Sequence, residues 1–174
     1  MGNICSCCSS DMPKFIISVV GLEEDIKNVL KYIVPDFNDT QKLMNFTEYI
    51  FSYYNAELII HAHIITELNK NLISLHSTVE SAVIYSVEAD RPESIKFVKE
   101  LVEESNVKNN IDIVTVLCRG KYLDHPELDE LKILLNENIH NHFEFVKFNP
   151  EESENQARKA IEKIYKILLG RINN

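Results

Sequence analysis

Two stretches near the start of this 174-residue chain hold residue types that could do chemistry. The first is MGNICSCCSS. Gly2 and Ser6 fit M-G-x-x-x-[ST], the acceptor pattern for a myristoyl group on Gly2. Cys5, Cys7 and Cys8 lie beside it, where thiols at a membrane surface take palmitate. One myristoyl chain binds a bilayer reversibly, with a constant on the order of 10⁴ M⁻¹, so stable anchoring needs a second signal. No Lys or Arg precedes Lys14, which rules out a basic patch and leaves the thiols. Crowded thiols in a tail cannot staple a core. C-S-C-C also lacks the second spaced Cys/His pair that zinc requires. The expectation is a lipidated tail over residues 1–13, on the cytoplasmic face of a membrane, followed by one domain over 14–174.

The second stretch is Gly21-LEED-Ile26-Lys27-Asn28. It follows an apolar run and precedes a helical pattern, the setting in which G-x-x-x-x-G-K-[ST] cradles phosphate. Gly21 and Lys27 match. The second glycine is replaced by Ile26, whose side chain would obstruct close backbone approach to a phosphate. The magnesium-binding hydroxyl is replaced by Asn28, a poorer oxygen ligand. Glu23, Glu24 and Asp25 stand within the pattern. Like charges at ~4 Å cost about 1 kcal/mol in water and up to ~4 kcal/mol near a protein surface. Three carboxylates facing a triphosphate therefore outweigh the single Lys27. The same acids suit the positive end of a helix, at about 0.3–1 kcal/mol each.

The elements that would position these residues follow from hydrophobic period. Phe15 to Val20 reads as a buried strand, broken by Gly21. Ile26, Val29, Leu30 and Ile33 recur at helical spacing from Glu23. Pro35 to Gln41 reads as a loop. Asn45 to Tyr54 and Glu57 to Ile64 read as a hairpin turning at Asn55-Ala56. Thr66 to Val79 reads as a short helix. Strands are predicted over Ser81–Val87, Ile111–Leu117 and His142–Phe148. Helices are predicted from Pro92 to Glu104, from Pro126, and over Glu152–Leu169. Alternating strands and helices imply an α/β domain: about six strands, mostly parallel, with helices on both faces.

Bulk composition narrows the function. A formal net charge of −9 argues against nucleic acid as a partner. No apolar run reaches the ~18 residues that span a bilayer, and no basic leader precedes a long apolar block.

The element order over roughly residues 14–170 resembles the Ras-like small GTPases. FIISVVGLEEDIKNVLKYI is similar to their phosphate-loop strand and helix. SAVIYSVEADRPESIKFVKELVEE is similar to their fourth strand and following helix. IDIVTVLCRGKYLD stands in the place of the guanine-reading strand. The MGNI start and the phrase VVGL are most similar to the Arf-like branch, which is myristoylated at Gly2. The resemblance also shows what has been lost. D-x-x-G aligns with His61-Ala62-His63-Ile64, with Ile65 in place of the following glutamine. N-K-x-D aligns with Arg119-Gly120-Lys121-Tyr122, and Asp124 is out of register. The last motif falls at Phe148-Asn149-Pro150 without a match.

The resemblance with these losses implies a pseudo-GTPase with no catalytic residues, no cofactor and no metal. Gly21, Lys27 and Asn28 would be a vestigial phosphate loop. Its role would be that of a membrane-anchored adaptor or scaffold for other proteins, with residues 45–79 as the contact surface by analogy with relatives. The other reading from the same resemblance is a divergent Arf-like switch in membrane traffic or signalling that still holds GTP through Gly21, Lys27 and Asn28. An unrelated doubly wound enzyme has no Ser/His/Asp or Cys/His motif to support it. His61-x-His63 and His140-x-His142 could each share a strand face, but they read as ordinary strand-end histidines without a ligand set. Cys118, at the end of a buried run, reads as core.

Overall fold

The computed structural model describes residues 12–34, 39–42, 47–54, 56–64, 81–104, 113–138 and 142–170. In chain order the elements are β1 (Lys14–Gly21), α1 (Glu23–Ile33), β2 (Asp39–Lys42), β3 (Thr47–Tyr53), β4 (Ala56–Ile64), β5 (Ala82–Glu88), α2 (Pro92–Glu104), β6 (Ile113–Arg119), α3 (Pro126–Asn138), β7 (His142–Phe148) and α4 (Glu154–Gly170). The lipid-acceptor positions Gly2, Cys5, Cys7 and Cys8, the helix expected over 66–79, and His140 lie outside the described residues.

The strands form one sheet in the order β2-β3-β4-β1-β5-β6-β7. β1 pairs in parallel with β4 and β5, and β6 and β7 extend the parallel half. β2, β3 and β4 are antiparallel neighbours. The mostly parallel α/β sheet with helices on both faces is as the sequence predicts.

Its seventh strand, β2, overlaps the end of the stretch Pro35–Gln41 that reads as a loop and runs one residue beyond it. DTQK carries no apolar residue, so nothing in its hydrophobicity announces a strand. It is an edge strand that pairs with β3 alone. The hairpin turn is one residue earlier than predicted: Tyr53 pairs with Ala56, leaving positions 54 and 55 between them. Tyr54 has φ 54°, the left-handed region that two-residue hairpin turns use.

Two apolar cores flank the sheet. On one face α1 and α4 pack Ile26, Val29, Ile33, Ile161 and Ile164 against Ile17, Ile60 and Ile84. On the other, α2 and α3 pack Ile95, Val98, Leu128 and Leu131 against Val20, Tyr85 and Val116. All seven residues of β5 are buried, as a parallel strand covered on both faces requires. The Tyr165 hydroxyl donates to the Ile33 carbonyl and ties α4 to the end of α1.

Candidate functional site

In an open doubly wound sheet, ligands bind outside the carboxyl ends of the strands, where the strand order reverses. Here that point lies between β1 and β5. The chain leaves β1 for β2, β3 and β4 on one side, then crosses back so that β5, β6 and β7 extend the other. The ends of β1, β5 and β6 and the first turns of α1 and α2 meet there.

One residue, Leu22, joins β1 to α1. The stretch Gly21–Asn28 is therefore a strand end, a linker and helix, not an open loop. The Ile26 amide donates to the Leu22 carbonyl at 3.0 Å, so helical bonding starts immediately. Helical period from Glu23 prevails over the loop register of the phosphate pattern. Ile26 is buried in the core, where its side chain packs, and its Cγ1 lies 3.6 Å from where a Cβ on Gly21 would stand. Gly21 has a packing reason as well: a Cβ there would stand 2.9 Å from the Ser86 carbonyl oxygen on β5.

The three acids of the first turn divide by helical geometry. Glu23 and Glu24 are exposed and hold Lys27 at 2.9 and 3.2 Å. The hydrogen bonds that Lys27 donates to Glu23 and Glu24 hold its ammonium pKa above its ordinary value. Asp25 turns inward and is 1% exposed. Its Oδ2 accepts from the Ser94 hydroxyl at 2.6 Å, and its Oδ1 accepts from the Arg91 guanidinium. The Ser86 hydroxyl donates to the Asp25 carbonyl at 2.8 Å.

The network continues across the crevice. Ser94 Oγ accepts from the Glu88 amide at 2.9 Å. Glu88 Oε2 accepts from Asn28 at 3.2 Å and from Arg119 at 2.7 Å. Asp90 accepts the backbone amides of Lys121 and Tyr122 at 3.0–3.1 Å. Burial pushes the Asp90 carboxyl up, but those amides and the charges of Lys121 and Arg119 hold it below its ordinary value. Positions that align with the phosphate loop and the guanine motif therefore gather at one end of the sheet, where each cation faces a carboxylate of the chain itself.

Sequence reasoning missed Arg91, Ser94, Glu88 and Asp90. The polar phrase ending β5 and opening α2, Glu88-Ala-Asp-Arg-Pro-Glu-Ser94, was the available signal.

Of the candidate histidines, His61 and His63 lie on β4 and His142 begins β7. His63 Nε2 is 3.1 Å from the Ser18 hydroxyl, and His61 Nε2 is 3.1 Å from Glu48 Oε2. Among the described residues, no group of three or more His, Cys, Asp or Glu side chains is placed to hold a metal ion. Cys118 is fully buried in the α2–α3 core, and burial pushes its thiol up to about 12. Among the described residues, no helix is long and apolar enough to cross a membrane.

The strand order defines a P-loop GTPase-like fold. No family model and no curated protein matches the chain. Among solved structures it is similar to the crystal structure of a bacterial selenocysteine-specific elongation factor, EF-Sec. The TM-score is 0.62 at 19% identity, over 94% of this chain and 30% of that one. The chain thus spans under a third of that protein's length, and a likeness at this identity speaks to the fold.

Proposed function

We propose that this is a GTPase-like protein that works without nucleotide, as an adaptor that binds other proteins at a membrane. Myristate on Gly2 and palmitate on Cys5, Cys7 and Cys8 are its anchor in this reading. The observation that carries the proposal is the crevice between β1 and β5. The groups that would greet a phosphate there are committed to the chain's own carboxylates: Lys27 to Glu23 and Glu24, Arg91 to Asp25, and Arg119 to Glu88. A single-residue link from strand to helix leaves no glycine-rich cradle of backbone amides. A triphosphate entering this site would have to break several charge-assisted bonds before making any. An adaptor needs a constant shape, and a crevice whose cations each meet a carboxylate of the chain supplies one, although the Nε of Arg119 is buried without a partner among the described residues.

The test is direct. Protein purified without added nucleotide is denatured and the supernatant assayed for guanine and adenine nucleotides. Thermal melting is then followed with millimolar GTP, GDP or ATP and magnesium. The expected results are no stoichiometric nucleotide and no shift. A copurifying nucleotide, or a ligand-dependent rise in Tm, overturns the proposal. For the anchor, Gly2→Ala is expected to move the protein from membranes to the soluble fraction; a variant that stays on membranes refutes that half.

A further inference from the structure

The donors that converge on Asp25 form a set suited to an oxyanion rather than to a helix cap alone. The Arg91 guanidinium and the Ser94 hydroxyl, both from the start of α2, reach separate oxygens of one carboxylate. That carboxylate belongs to the first turn of α1, the helix end whose partial positive charge favours anions. It lies at the switch point of the sheet. Its residue is held from a third side, because the Ser86 hydroxyl bonds its main-chain oxygen. Glu23 and Glu24, its neighbours on α1, are exposed and satisfy Lys27 instead. One acid has been taken into the crevice and the others left outside.

Resting on the reading that the crevice takes no nucleotide, we propose that Asp25 is a built-in anion: its carboxylate fills, from within the chain, the seat that Arg91 and Ser94 would offer a phosphate. It closes α1 onto α2 with no external ligand. The Arg91–Asp25 and Ser94–Asp25 bonds bridge 66 and 69 positions of sequence, so they join elements that only a folded crevice brings together.

The experiment removes the resident anion and offers inorganic phosphate in its place. Asp25→Ala deletes the carboxylate and opens room beside Arg91 and Ser94. Thermal melting of wild type and variant in the full chain is followed in sodium phosphate and in sodium chloride at matched ionic strength. Wild type is expected to melt at the same temperature in both. Asp25→Ala is expected to melt lower than wild type in chloride and to recover in phosphate by about 3–6 °C at ten times the phosphate Kd. Adding Arg91→Gln to Asp25→Ala should abolish that recovery, and Ser94→Ala alone, which keeps the carboxylate, should stay indifferent to phosphate. If Asp25→Ala does not fold in chloride, folded protein obtained in phosphate alone counts as the same recovery. Failure in both salts, equal recovery in both, or recovery that survives Arg91→Gln overturns the inference. Nucleotide found on the wild-type protein sinks the functional proposal; nucleotide-free wild type beside a phosphate-blind Asp25→Ala sinks this inference alone.

Discussion

Gly21 looks like the first glycine of a phosphate loop, but its surroundings give it a different duty. A Cβ built there meets the Ser86 carbonyl oxygen at 2.9 Å and the Ser86 Cβ at 3.2 Å. The carbonyl is backbone of the neighbouring parallel strand and cannot rotate aside. Nor is Ser86 free to retreat, since its hydroxyl is bonded to the Asp25 carbonyl at 2.8 Å. Gly21→Ala should therefore behave as overpacking, which costs about 1–3 kcal/mol. The smaller entropy of the unfolded chain returns about 0.4–1 kcal/mol. The net expectation is a loss of roughly 1–2 kcal/mol, or about 2–8 °C in Tm for a chain of this size. Urea denaturation is the assay, with a lower midpoint at unchanged slope as the expected signature. Gly170→Ala is the control, because a Cβ there meets nothing within 4 Å. Gly21→Ala as stable as wild type would refute the reasoning: β1 and β5 would then have slack, and the glycine would need another explanation.

Ile26 is 1% exposed in the core between α1 and the sheet, so Ile26→Ala should cost about 2–5 kcal/mol, read as a drop in urea midpoint. Asp90 has a carboxyl held below its ordinary value in the folded state, so the stability it adds is present above the unfolded carboxylate pKa of about 3.9 and is lost as pH falls below it. Asp90→Asn should therefore be less stable than wild type at pH 7, with the gap closing as pH falls below the unfolded carboxylate value when melting is followed across pH. Cys118, with its thiol pushed up to about 12 by burial, should ignore Ellman's reagent at pH 8 until the protein unfolds. That is measured with Cys5, Cys7 and Cys8 changed to serine so that one thiol remains.

The parts of the fold legible in the sequence were those where burial writes a period. β5 is apolar throughout because both faces are covered, and α1 shows Ile26, Val29 and Ile33 on one stripe because that stripe meets the sheet. β2 was illegible because DTQK is polar and pairs through backbone at an edge. In the site, Glu23, Glu24 and Asp25 look alike as three adjacent acids. The helix separates them: Asp25 falls in line with Val29 and Tyr32, both buried, at the i, i+4, i+7 spacing of one face. That alignment was readable. Its partners were not, because Arg91, just before α2, and Ser94, in its first turn, lie more than sixty residues away and only the crossover from β4 to β5 brings them near.

The crevice network also bears on whether this fold can act as a switch. Asp25–Arg91 joins α1 to the start of α2, Asn28–Glu88 joins α1 to β5, Glu88–Arg119 joins β5 to β6, and Asp90 holds the amides that follow β6. Buried ion pairs are weak evidence for net stability, because desolvation offsets most of their attraction. Losing one partner is a different matter, since it strands a charge, so such a set disfavours half-open arrangements more than it deepens the closed one. A ligand can shift a conformational equilibrium only by binding one state better than another. Where the chain's own carboxylates already meet the cations of the crevice, phosphate has little differential affinity to offer. Under the proposed adaptor function, the shape presented to a partner is set by the sequence rather than by a bound nucleotide.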